Sequence, residues 1–179
     1  MTVMPREGDW TVDDLAGLPD DGLQYELADG MLLVTPAPRM RHQRVLGNLV
    51  VLMHVAVPAE LEVFFAPVDY RPHGRTSLQP DLLVVRREDV GEVNITAPLL
   101  LAVEVLSPST RSKDLLLKRG LYEQAGVLSF WVVDPDETSL IAWDLVDGAY
   151  VEVLRAVGDE VAVMSRPFRV DVTPTALLR

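Results

Sequence analysis

Apolar positions change spacing along the chain, and the changes mark out its elements. Val45, Leu46, Leu49, Val50, Leu52 and Met53 recur at helical intervals, with Arg39, Arg41, Arg44 and Asn48 between them. This predicts a long helix from Arg39 to about Val57, closed by Pro58. A second helix is expected from Ser112 to about Ala125, with Gly126 as its stop. Thr11-Val12-Asp13-Asp14 reads as a short capped helix ending before Pro19. Other segments read as strands. Gln24 to Leu27 and Met31 to Thr35 flank Ala28-Asp29-Gly30, a hairpin signal, and Pro36 and Pro38 end the second strand. Leu61 to Phe65, Val68 to Arg71 and Pro80 to Val85 follow, with a loop expected over Pro72 to Gln79. Leu99 to Leu106 is almost wholly apolar, as in a strand covered on both faces. Ser107-Pro108-Ser109-Thr110 reads as a turn. Leu128 to Val133 is another apolar strand. Leu140 to Leu145 and Tyr150 to Leu154 alternate like an antiparallel pair around Asp147-Gly148, and Val161 to Val170 suggests an edge strand. The sum is an α/β fold, a mixed sheet flanked by helices.

Length and composition narrow the class. The chain has 179 residues, 49% hydrophobic and 24% charged, which suits a single globular domain, residues 1–179. No apolar run reaches the roughly 18 residues of a membrane span, and the N-terminus has no secretory h-region. With no cysteine, disulfides, thiolate zinc sites and a cysteine nucleophile are excluded. The expected setting is the cytoplasm. A net charge of −11 argues against broad, sequence-independent nucleic-acid binding but leaves room for a local basic groove.

Two acids stand out against this background. Glu104 interrupts Leu99 to Leu106, where an ionised carboxylate is costly unless it is paired or holds a metal. The ordinary alternative is pairing with an arginine at the strand's open end. Asp81 opens another apolar strand 23 residues earlier. If the two strands are neighbours, the carboxylates converge and suit Mg²⁺, which takes few protein oxygens. Alone, Pro80-Asp81 is common turn chemistry. Of 16 lysines and arginines only Lys113 and Lys118 are lysines, both shortly after Glu104. Asp114, Lys118 and Tyr122 share one helix face. A lysine there could help a metal-bound water, or simply pair with Asp114. Glu26, between Tyr25 and Leu27, is either a third site acid or a solvent-facing edge residue.

Basic residues at Arg39, Arg41, Arg44, Arg71, Arg75, Arg111, Lys113, Lys118 and Arg119 either ring one cleft or are scattered surface charges. His42, His54 and His73 lack zinc-type spacing. There is no nucleophile elbow and no glycine-rich phosphate loop. Trp143 and Tyr150 on the C-terminal strands are candidates for a homodimer surface.

Tyr25-Glu26-Leu27, Asp29-Gly30, Pro36-Ala37-Pro38, His42, Pro80-Asp81, Glu104-Val105-Leu106-Ser107-Pro108-Ser109-Thr110, Asp114, Lys118, Tyr122, Gly126-Val127 and Trp131-Val132-Val133-Asp134-Pro135 occur in that order. The series resembles the bacterial "putative restriction endonuclease" family (Uma-type), a branch of the PD-(D/E)XK nucleases. The resemblance implies a restriction-endonuclease-like mixed sheet between helices, with an N-terminal hairpin and C-terminal antiparallel strands. It also implies an Mg²⁺ (or Mn²⁺) dependent phosphodiester hydrolase, read as a DNA endonuclease. Separately from the resemblance, a homo-oligomer, a dimer formed through the C-terminal strands, would suit cutting both strands of a duplex. Asp81 and Glu104 match the metal-binding acids, with the Val105 carbonyl completing the ligand set. The superfamily lysine two residues after the second acid is replaced by Leu106, so its role passes to Lys118, or to Lys113. Glu26 matches an N-terminal acid, and His42, Lys113, Asp114 and Tyr122 would line the cleft. Two other readings stand beside this one: a nuclease-fold module that binds protein or nucleic acid without cutting, and a hydrolase of small phosphoesters.

Overall fold

The computed structural model describes residues 2–4, 8–35, 37–107 and 111–179, with side chains at 8–35, 37–107 and 115–179. In chain order the elements are β1 (Thr2–Met4), α1 (Val12–Leu15), β2 (Gln24–Ala28), β3 (Met31–Thr35), α2 (Met40–Ala56), β4 (Leu61–Phe65), β5 (Tyr70–His73), β6 (Thr76–Leu78) and β7 (Leu82–Arg86). Then follow β8 (Leu101–Val105), α3 (Arg111–Gln124), β9 (Ser129–Asp134), β10 (Ser139–Val146), β11 (Ala149–Val157), β12 (Ala162–Met164) and β13 (Val170–Val172). Of the expected turn after β8, Pro108, Ser109 and Thr110 lie outside the described residues.

Six strands form the central sheet in the order β11-β10-β9-β8-β7-β4. It is a mixed sheet in which β8 and β9 run parallel and the other pairs antiparallel. The parallel pair needs a crossover, and α3 supplies it. Both faces of this sheet are covered, which explains the nearly unbroken apolar runs. Leu101, Val103 and Val105 pack with Val45, Leu46, Leu49 and Met53 of α2 in one core. Ala102 points the other way, into a core that includes Leu121 and Tyr122 of α3. Strand alternation therefore assigns even-numbered β8 positions to the α3 side.

The N-terminal hairpin grows into a second sheet, in the order β1-β3-β2-β6-β5. Its turn places Asp29 at φ 45° and Gly30 at φ 83°, the left-handed conformations a two-residue hairpin turn demands. The segment expected to be a loop over Pro72 to Gln79 instead contains most of the β5–β6 hairpin. Pro72, Gly74, Thr76 and Ser77 hid it, because their polarity reads as loop, yet Thr76 and Ser77 are buried.

Two further expectations need correction. Val161 to Val170 is not an edge strand of the main sheet, because β12 and β13 form a separate two-stranded sheet. Its Ala162, Met164, Val170 and Val172 close the core beneath α2. Trp143 and Tyr150 do not form an exposed aromatic face. Both are buried, stacked on Phe130 at 5.8 and 6.0 Å between ring centroids. Among the described residues no helix is long and apolar enough to cross a membrane.

Candidate catalytic site

The β7–β8 ladder pairs Leu82 with Val103 and Leu83 with Ala102. Continued by one residue, the same register sets Asp81 opposite Glu104, on the face toward α3. Opposed residues in an antiparallel pair have Cβ atoms roughly 4.5–5.5 Å apart. Two carboxylates distant in sequence thus meet at one end of the sheet. A backbone contact fixes the meeting point, because the Val105 amide donates to Asp81 Oδ2 at 2.7 Å. On the other side of the carboxylate, His42 Nε2 lies 3.2 Å from Asp81 Oδ1.

Glu104 is engaged from α3. Lys118 Nζ donates to both of its oxygens at 3.1 Å, and the Tyr122 hydroxyl donates to Oε1 at 2.7 Å. Helical spacing puts Lys118 and Tyr122 one turn apart, over the same acid. The Lys118 ammonium also pairs with Glu26 Oε1 at 2.9 Å. That oxygen accepts the Gln79 amide at 2.7 Å. Glu26 is therefore a buried member of the cluster, 3% exposed, and not a solvent-facing edge residue.

Two acids, Glu104 and Glu26, thus hold one ammonium, and Asp81 acts on it from farther off. Burial pushes Glu104 up to about 8, against the pull of Lys118, with Asp81 and Glu26 adding to the rise. Burial works against the Lys118 charge, but Glu104, Glu26 and Asp81 outweigh it and raise its pKa. Lys118 stays an ammonium at neutral pH and offers no lone pair for a proton. Burial and the neighbouring acids also hold the Tyr122 phenol well above its ordinary value, so it is a neutral donor.

The Glu104 shift has a consequence for stability. Its folded value of about 8 lies above the ordinary 4.5, so the native state binds the extra proton between those limits. The stabilisation is complete below the lower limit and is lost as pH rises through the upper one. In the presence of a chelator, the wild type should lose thermal stability relative to Glu104→Gln as pH climbs from 5 to about 9. Melting curves across that range check this, and a constant gap between the two proteins would contradict it.

Glu26, His42, Asp81, Glu104 and Lys118 line a cavity of about 440 Å³, together with Gln24, Thr35, Arg39, Gln79, Val105 and Ser107. Tyr122, expected at the cleft, instead lies fully buried behind Glu104. Thr35 Oγ1, His42 Nδ1 and Gln79 Oε1, all from lining residues, are buried without a hydrogen-bond partner among the described residues. Gln79 was not singled out from sequence. Its place directly before Pro80-Asp81 was the available signal. Among the described residues no group of three or more His, Asp or Glu side chains forms a ready metal cage.

The remaining candidates divide. The side chains of Lys113, Asp114 and Arg111 lie outside those described. Of the basic residues that the sequence left as either a ring or scattered charges, Arg39 and Lys118 reach the cavity, and several other described arginines are engaged elsewhere. Arg41 is tied to Asp136 and the Pro135 carbonyl, Arg71 to Asp69, and Arg75 to Asp9 and Asp29. Arg119 lies over the Trp143 ring. His54 is exposed with Nδ1 3.1 Å from the Val50 carbonyl, and His73 Nδ1 accepts the Arg75 amide at 3.4 Å.

Residues 12–176 match the Uma2 family, described as "putative restriction endonuclease". Among solved structures, the chain is similar to a protein from Anabaena variabilis ATCC 29413, titled a "putative nuclease belonging to DUF820". The TM-score is 0.74 at 19% identity, covering 94% of this chain and 97% of the other. That similarity speaks to the fold. No curated protein matches the chain.

Proposed function

Since this chain belongs to the Uma2 family of "putative restriction endonucleases", we propose that it is a nuclease that hydrolyses DNA phosphodiester bonds with Mg²⁺ (or Mn²⁺) held between Asp81 and Glu104. The observation that carries the reading is the β7–β8 register, which sets the two acids opposite each other beside Lys118.

The donor set fits such an ion. Mg²⁺ takes one or two carboxylates and keeps several waters, so a two-acid site is enough without a third carboxylate. Each carboxylate oxygen accepts more than one bond. Asp81 Oδ1 and Glu104 Oε2 therefore keep capacity beyond their bonds to His42 and Lys118. The Val105 carbonyl, at the same strand end, is the third protein oxygen. When bound, the cation supplies Lewis-acid chemistry toward a phosphate. Lys118 keeps Glu26 and Glu104 from repelling each other and sets a fixed positive charge against the negative charge developing on the phosphate. Tyr122 orients Glu104. Arg39 at the cavity wall draws the polyanion in.

A second reading rests on two observations. Leu106 replaces the lysine of the superfamily pattern, and Lys118 is committed to two carboxylates. Both suit a nuclease fold that binds protein or nucleic acid without cutting. The test is incubation with single-stranded and duplex DNA in Mg²⁺, Mn²⁺, Ca²⁺ or chelator. Cleavage in Mg²⁺ or Mn²⁺ and none in chelator is expected. Intact DNA under every condition would favour the non-cutting reading.

A further inference from the structure

His42 is 8% exposed, in the first turn of α2, and is held there by Val45, Leu46, Leu49 and Met53 packing against the sheet. Its Nε2 faces Asp81 Oδ1 at 3.2 Å, while its Nδ1 is buried with no partner among the described residues. This geometry selects one tautomer. A proton on Nδ1 alone would turn a bare nitrogen toward the carboxylate and bury an unsatisfied N–H. A proton on Nε2 donates to Asp81 and leaves Nδ1 as a bare acceptor. We propose that His42 is a positioning residue for Asp81: its Nε2–H and the Val105 amide grip the two carboxylate oxygens from different elements and fix the plane in which Asp81 presents its oxygens to a divalent cation.

Each grip comes from a rigid part of the fold. The Val105 amide belongs to β8, and His42 is carried by a helix seated on the core. With one donor per oxygen, the carboxylate cannot rotate without breaking a bond at one side or the other. Outer hydrogen bonds of this kind orient a metal's ligands, and their loss costs roughly 10–100-fold in affinity. The inference rests on the reading that Asp81 holds a cation, and it adds a residue and a direction of force to that site.

The test is calorimetric titration of the full chain with Mn²⁺, comparing wild type, His42→Ala and His42→Gln, with ¹⁵N spectra of the imidazole in chelator. The glutamine amide nitrogen can take the place of Nε2. Mn²⁺ affinity should fall roughly 10–100-fold in His42→Ala and largely return in His42→Gln. The wild-type ring should report a proton on Nε2. Unchanged affinity in the alanine variant, or equal loss in both variants, overturns the proposal, the second by reducing His42 to a packing role. If His42→Ala does not fold, the glutamine variant and the ring spectrum decide. A ring protonated on Nδ1 alone is then contradictory. A wild type with the Nε2 proton but no saturable Mn²⁺ binding identifies the cation reading as the failed step and removes the proposal with it.

Discussion

Asp81→Asn and Glu104→Gln should each lower DNA cleavage by on the order of 10³-fold or more, with both proteins still folded. A ligand carboxylate supplies charge that a carboxamide of the same shape cannot. A loss of about 4 kcal/mol of transition-state stabilisation corresponds to that factor. Folding should survive for different reasons in the two variants. In Asp81→Asn the amide oxygen still accepts the Val105 N–H. The amide nitrogen then faces His42, whose ring can meet it by moving its proton to the partnerless Nδ1, at a cost of about 1–3 kcal/mol that the fold can bear. In Glu104→Gln the buried cluster loses one of the two acids paired with a single ammonium, which relieves repulsion among Glu26, Asp81 and position 104. The carboxamide oxygen still accepts from Lys118 and Tyr122. Single-turnover cleavage assays beside melting curves check both halves. Wild-type cleavage by either variant would remove the acids from the chemistry.

Lys118→Met should be the most destabilising of the site substitutions, by about 3–5 kcal/mol near pH 8. The ammonium is 5% exposed and is the positive charge within bonding distance of both Glu26 and Glu104. Removing it leaves buried acids facing each other without compensation. For a chain of this size the melting temperature should fall by roughly 10 °C. The deficit should shrink at pH 5, where Glu104, raised to about 8 even beside Lys118, is neutral, and in a Glu26→Gln background, where one of the orphaned acids is gone. A Met variant as stable as wild type at pH 8 would mean that Lys118 does not hold the cluster together.

The acids were legible because they break apolar strands. An ionisable side chain inside Leu99 to Leu106, and another opening a second strand, are costly unless something compensates them. The face they share was not legible. It depends on the β7–β8 register, a pairing between distant segments that no local pattern encodes. Helical spacing did place Lys118 and Tyr122 on one side, but the partner of Lys118 turned out to include Glu26 from the other sheet. Long α2 was readable almost to the residue because its stripe is regular, whereas β6 and the end of β5 were lost among turn-forming and polar residues. Trp143 and Tyr150, candidates for a surface, are core residues, because burial on a strand depends on what covers its two faces. The sheet is covered on both sides, so Ala142 and Trp143 are both buried, one in each core. Arginines fared worst. Sequence left a basic ring and scattered charges as alternatives, because pairing with Asp9, Asp29, Asp69 and Asp136 depends on folds of the chain that spacing does not reveal.

The most direct measurement is the anomalous scattering of a crystal soaked in Mn²⁺. A peak within coordination distance of both Asp81 and Glu104, absent from a crystal of Glu104→Gln soaked in the same way, is the predicted result. No peak at the β7–β8 strand ends, or one that contacts neither carboxylate, would contradict the account.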